Sequence, residues 1–182
     1  MFLSLVQKRR SIREYLQKPV ESKKIDMLVE AALRSPSSRG FNPWEFIIVT
    51  DRNLLAKLSK AKPHGASFLS NAPLGIVVCA DPAKCDVWIE DVSIASIFLH
   101  LAAESLELGS CWIQIRMRMH NRNKTAEAYI RELLHIPENL NVESIVAIGY
   151  PAESKPAHPK EDLQYEKVHF NEYGKPLKVS SS

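Results

Sequence analysis

Apolar positions along the chain change period from segment to segment. Residues 1–7, MFLSLVQ, suit a short helix, which the cation-rich RRSIR of 9–13 then breaks. In ESKKIDMLVEAALRS, residues Ile25, Leu28, Val29, Ala32 and Leu33 recur at helical spacing, with Ser22 placed as N-cap. Pro36 ends that helix, and SPSSRGFNP (35–43) is loop by composition. WEFIIVT (44–50) predicts a strand, and Asp51 caps a short helix in RNLLAKLSKA. LGIVVCA (74–80) predicts a second, buried strand. A long apolar helix follows over 90–108, closed by Gly109, then a strand in SCWIQI (110–115). Thr125 caps the helix AEAYIRELL, and ESIVAIGY (143–150) makes a fourth strand. The tail beyond Pro151 carries Pro156 and Pro159 and an edge strand at YEKVHF.

Helices and strands thus alternate, the pattern of an α/β or α+β sheet covered by helices. The strands are apolar on both faces and need cover on both. The run VSIASIFLHLAA (92–103) is apolar nearly all round, and 12 residues are too few to span a bilayer. Such a helix must be buried from several sides, and a homodimer interface supplies the missing cover.

Composition narrows the class. The 182 residues, 45% hydrophobic and 25% charged, suit one soluble domain spanning 1–182. Cys79, Cys85 and Cys111 form no CxxC pair and no histidine pair has zinc spacing, so free thiols, no metal and a cytoplasmic setting are expected. MFLSLV is too short for a signal peptide.

The net charge of +3 is too small to indicate a nucleic-acid protein, but the cations are uneven. Residues 8–39 carry Lys8, Arg9, Arg10, Arg13, Lys18, Lys23, Lys24, Arg34 and Arg39 against Glu14, Glu21, Asp26 and Glu30. The six glycines make neither GxGxxG nor GxxxxGK, which disfavours a Rossmann or P-loop phosphate site. Guanidinium forks are the other way to hold a phosphate, and Ser11 adds a hydroxyl. In an extended segment Arg9, Ser11 and Arg13 share one side while Ile12 points into the core, and Arg10 joins them only through a bend. The plainer reading of the same run is a solvated basic face.

RRSIREY, SPSSRGFNPWEFIIVTD, EDVSIASIFLHLAAESLELGSCWI and IVAIGYPAESKP, in that order and spacing, resemble the nitroreductase family of flavin enzymes over residues 5–170. The resemblance implies an α+β fold with a mixed central sheet flanked by helices, FMN as cofactor, and an intertwined homodimer whose two sites draw on both subunits. It implies phosphate and ribityl contacts from Arg9, Arg10, Ser11 and Arg13, closed by Lys155 and Lys160. Pro36, Ser37, Ser38 and Asn42 match the loop that reaches the partner subunit's flavin. Cys111, Trp112, Ile113 and Gln114 match the segment passing the flavin N5 edge, with the amides of Ile113 and Gln114 as donors. The resemblance leaves open whether His64 reaches the cofactor, because the loop length there is ambiguous. The implied activity is NAD(P)H-dependent reduction of nitroaromatics, quinones or similar acceptors by a ping-pong hydride mechanism that requires no catalytic side chain. Dehydrogenation or dehalogenation on the same fold, or flavin binding with little turnover, are the alternatives. This chain departs from the family after CWI, where Gln114, Arg116 and Arg118 replace the usual glycine-containing stretch. These arginines belong either to the substrate-pocket wall or to an exposed strand end. Trp44 and Trp112 read as core packing.

Overall fold

A computed structural model describes residues 2–177; Met1, where the hydrophobic pattern starts the first helix, lies outside them. The chain runs α1 (Phe2–Lys8), α2 (Ser22–Leu33), β1 (Trp44–Val49), α3 (Arg52–Leu58), β2 (Leu74–Ala80) and α4 (Trp88–Ser105). It continues through β3 (Gly109–Gln114), β4 (Met119–Asn121), β5 (Lys124–Thr125), α5 (Ala126–Leu134) and β6 (Asn141–Gly149).

β1, β2, β6 and β3 form one sheet in that order, and all three pairings are antiparallel. Parallel pairing enters through the single bridge Ser11–Ser110, on the outer edge of β3. Every residue of β2 is buried, as expected for a strand covered on both faces. On one face Val77, Cys79, Ile113, Ile145 and Ala147 pack with Leu55, Leu58 and Ile130 from α3 and α5. On the other, Leu74, Ile76, Val78, Val146 and Ile148 pack with Leu28 of α2 and Val92, Leu99 and Ala103 of α4. Both layers follow from strands whose successive side chains alternate between faces.

Short-range chemistry sets several boundaries. Asp51 accepts from the Leu54 amide at 2.8 Å and Thr125 from the Ala128 amide at 3.0 Å, so both predicted caps form. Ser22, however, is the first helical residue and not the cap. Glu21 flanks the helix without capping it, because its carboxylate is drawn to the Tyr150 hydroxyl (2.7 Å) and Lys18 (3.3 Å). Gly109 does not close α4. Glu107 turns the chain at φ 61°, and Gly109 opens β3, where a Cβ would stand only 2.8 Å from Ile12. At 165–170 there is a 3₁₀ turn, Tyr165–Lys167, and one bridge from His169 to Pro176 in place of an edge strand. The β4–β5 hairpin has strands of three and two residues, too short to show a period in the sequence.

α4 is not covered on every side within one chain. Val92, Ala95, Leu99 and Ala103 face the sheet, but Ile94 is 37% and Ile97 43% exposed. Phe2, Leu5, Ala31, Ile97, Phe98, Leu101 and Ala102 line an open, apolar groove of about 510 Å³ on its outer side. No helix among the described residues is long and apolar enough to cross a membrane.

Candidate functional site

The segment after α1 is held extended against the edge of the sheet. The Ile12 amide donates to Ser110 O at 3.0 Å, and the Leu16 amide to Tyr150 O at 2.8 Å. The Tyr15 hydroxyl, buried, donates to Ile12 O at 2.6 Å. Ile12 itself is 8% exposed and packs inward, as its alternation predicts. Glu153 is a latch from a distant part of the chain. One carboxylate oxygen accepts from the Arg13 amide at 2.6 Å and from Lys155 Nζ at 2.9 Å. These contacts, the Arg13 amide first, hold the Glu153 carboxyl below its ordinary pKa. Lys155 also donates to Ser11 O at 2.9 Å. Lys155 and Ser11 are therefore brought together.

Cys111, buried at the start of β3, records the local field. Burial raises its thiol pKa, while Arg13, a hydrogen bond from Ser11, Lys155 and Arg9 pull it down. Arg9, Ser11, Arg13 and Lys155 thus all bear on Cys111, and Lys155 and Ser11 meet directly. Arg9 also depresses the pKa of His100 to about 4, after the larger effect of burial. His100 Nδ1 lies 2.7 Å from Ser110 Oγ, a buried pair directly behind the segment. Arg10 donates to Pro156 O and, with Ile12, Glu153 and Lys155, lines a cavity of about 530 Å³ that contains neither Arg9 nor Arg13. Its separation from the other two follows from strand alternation. Lys160 opens a 3₁₀ turn five residues past Lys155.

β3 presents the next expected residues unequally. The Ile115 amide donates to Glu143 O, and Ser110 O accepts from Ile12 on the opposite edge. Alternation along the antiparallel ladder then turns the Ile113 amide toward β6 and the Gln114 amide toward the open edge. Of the two amides expected as donors, Gln114's is the one available; Ile113's is committed to the sheet. The side chains of Trp112 and Gln114 bond each other at 3.0 Å, and Trp112 is half-buried. Arg116 lies over the Trp88 ring at 5.9 Å, whereas Arg118 is exposed and near enough to Lys62 to depress that ammonium's pKa, second to burial. The two arginines therefore have different neighbours.

Pro36, Ser37, Ser38 and Asn42 form a separate, self-bonded loop. Ser37 Oγ accepts from the Asn42 amide at 2.9 Å and lies 2.7 Å from Asn42 Oδ1. The backbone is left-handed at Arg39 (φ 53°), Gly40 (φ 69°) and Asn42 (φ 48°). The Ser38 amide donates to Asp91 Oδ1 at 2.8 Å, and Trp44 Nε1 to Ser35 Oγ at 2.8 Å. Asp91 is 2% exposed, and its second oxygen has no partner among the described residues. This loop meets the first turn of α4, while the arginine cluster meets His100 near its last. His64 is exposed in the loop between α3 and β2. Sequence reading missed Glu153, Asp91 and the His100–Ser110 pair. An acid opening an otherwise apolar helix was the one visible signal.

An antiparallel sheet between two helical layers, with the basic segment 9–13 held along its edge strand, defines the class of protein. The family model described as "Nitroreductase family" matches residues 6–67 and 60–150. The chain belongs to the nitroreductase family. A solved FMN-dependent nitroreductase from Clostridium difficile R20291 is 50% identical, with a TM-score of 0.93, covering 94% of this chain and 99% of that one. An Archaeoglobus fulgidus relative bearing an NADH dehydrogenase/NAD(P)H nitroreductase name is 39% identical over 164 residues, 88% of this chain and 91% of its own. The FMN reductase [NAD(P)H] of Bacillus subtilis is 25% identical over 182 residues, 90% of this chain and 72% of its own.

Proposed function

We propose that the chain is a single-domain, FMN-dependent NAD(P)H oxidoreductase of the cytoplasm, active as a homodimer and reducing nitroaromatic, quinone or similar electron-poor acceptors. The observation that supports this reading is that Arg9, Ser11, Arg13 and Lys155 all bear on Cys111 of β3, with Lys155 bonded to Ser11. Two guanidinium forks, an ammonium and a hydroxyl fit one phosphate monoester without a glycine loop. When bound, FMN supplies the two-electron redox centre that takes hydride from NAD(P)H and delivers it to the acceptor. Arg9 and Arg13 hold the phosphate, and Glu153 holds Arg13's backbone and Lys155 in place. The Gln114 amide, on the open edge of β3, is positioned to donate to the flavin ring. The partner subunit's loop, equivalent to Pro36–Asn42, covers the ring, and the apolar face of α4 is buried between subunits. The buried free thiols Cys79, Cys85 and Cys111 suit a reducing compartment.

The test is spectroscopic and kinetic. Purified protein is expected to be yellow, to release FMN by mass spectrometry, and to bleach with NADH or NADPH in the absence of oxygen. Parallel double-reciprocal plots with a quinone or nitroarene are the signature of two substrates sharing one site in turn. Protein that carries flavin but is not bleached by either nicotinamide would be a flavin-binding protein and not a reductase.

A further inference from the structure

Two cavities of about 530 Å³ lie on this molecule and differ in charge balance. The first sets Lys8, Arg10 and Lys155 against Glu104, Glu107 and Glu153, so it is neutralised internally. The second lies between the end of α3, the 3₁₀ turn Ser67–Asn71 and β4. It is lined by Ser59, Lys60, Lys62, Ser67, Ser70 and His120, with Ala56 and Pro63, and by no carboxylate. Neither lysine makes an ion pair among the described residues.

The donors left to meet an anion are the ammonium groups of Lys60 and Lys62 and the Ser67 hydroxyl. Ser67 Oγ makes no hydrogen bond among the described residues, so its hydroxyl is available to donate. Ser59 and Ser70 donate to the carbonyls of Ala56 (2.9 Å) and Ser67 (2.8 Å). His120 Nδ1 faces two carbonyls, Lys60 O at 3.0 Å and Ala61 O at 3.3 Å, so it carries the hydrogen. The ring stacks on Tyr129 at 4.2 Å, which fixes its plane. Lys62 also feels Arg118, from the turn between β3 and β4. Burial and the Arg118 cation both disfavour its charge, and an anion between them relieves that.

We propose that this cavity is a coenzyme subsite that holds a dinucleotide phosphate, specifically the 2′-phosphate of NADPH. The proposal rests on the reductase reading above. A phosphomonoester carries between one and a half and two negative charges at neutral pH, matching two ammonium groups; each pyrophosphate phosphorus carries only one. The site therefore makes the enzyme prefer NADPH to NADH.

The test uses the holoenzyme and the variant Lys60→Gln, whose side chain is exposed. The ratio of kcat/KM for NADPH to that for NADH is expected to fall about tenfold, the loss of one charged hydrogen bond. The flavin absorbance is expected to stay as in wild type. Parallel losses with both coenzymes would move the site to the pyrophosphate and overturn the 2′-phosphate assignment, and an unchanged ratio with unchanged rates would overturn the subsite altogether. Calorimetry supplies a readout independent of turnover. Adenosine 2′,5′-bisphosphate is expected to bind wild type at least tenfold more tightly than 5′-AMP, with the difference lost in Lys60→Gln and in Ser67→Ala. Equal affinities would overturn the proposal. Protein free of flavin that still discriminates the two nucleotides would sink the reductase reading and leave the anion site standing.

Discussion

Residues 9–13 and residues 35–43 are both short, polar and loop-like, yet the fold treats them differently. The first is tied to distant chain on both sides, to Ser110 of β3 and to Glu153 and Pro156 beyond β6. The second is tied mainly to itself, through Ser37 and Asn42, with Asp91 as an outside anchor. The first clusters charge; the second clusters hydroxyls and left-handed backbone. They also sit near opposite ends of one helix. Asp91 and His100 are nine residues apart on α4, about 14 Å along its axis. The proposed function makes the first the anion end of a cofactor site and the second a lid over the partner's, and one chain does not put the two together. A second copy, docked on the exposed face of α4, can do so.

The comparison breaks most severely at the helix face. Ile97→Glu places a charge in the apolar groove beside Phe98 and Leu101. It is expected to give a monomer by light scattering and to release the flavin, since an obligate interface of about 2,000 Å² or more tolerates no unpaired buried charge. A flavin-loaded monomer would end the shared-site reading.

Next in size is an acid effect at the anion end. His100 has a folded pKa near 4, depressed from 6.5 by burial and then by Arg9. The unfolded chain therefore binds this proton first. The stabilisation is complete above pH 6.5 and is lost as pH falls toward 4, by up to about 3 kcal/mol. Denaturant melts of His100→Gln across that window are expected to show a shallower acid loss than wild type. Identical slopes would mean that other groups govern acid unfolding.

Arg13→Ala addresses the anion end alone. Losing one charged hydrogen bond, about 1.5–3 kcal/mol, weakens FMN by roughly one to two orders of magnitude. Riboflavin, lacking the phosphate, is expected to bind both proteins alike in fluorescence titrations. Equal losses for both flavins would make Arg13 structural.

The smallest effect is expected at the lid. Asp91→Ala removes the acceptor of the Ser38 amide, a contribution of about 1 kcal/mol. FMN affinity is expected to fall about fivefold, and Asp91→Asn, which keeps one acceptor, to fall less. If Asp91→Ala matched Arg13→Ala in discriminating FMN from riboflavin, lid and anion end would not be separable.

These two regions were not equally legible in the sequence. β2 appears over 74–80 because its run is apolar throughout, and the caps Asp51 and Thr125 appear because a cap is read within four residues. The alternation of Arg9, Ser11 and Arg13 is likewise local, and so is the burial of Ile12. What fails is anything decided by a partner far along the chain. Ser22 loses the cap position because Glu21 answers to Tyr150, and Gly109 serves the approach of Ile12 where a helix stop was expected. Arg10 is drawn to Pro156, 146 residues on, and Ile113's amide is consumed by β6. Glu153 carries no motif at all; its role exists only once residues 140 apart have met. The cavity at Lys60 and Lys62 is assembled in the same way, from α3, a turn and β4.

That long-range pinning also sets an order of events during synthesis. Ser11 meets Ser110, Tyr15 meets Pro151, and Lys155 reaches back 144 residues to Ser11. Contacts of such sequence separation form late, because the intervening loop must close first. Until the ribosome has released the chain beyond residue 155, the basic segment near the N-terminus has no strand edge to lie on and no carboxylate to hold it. A nascent chain therefore waits, with its arginines solvated, and cofactor capture belongs to the last stage of folding.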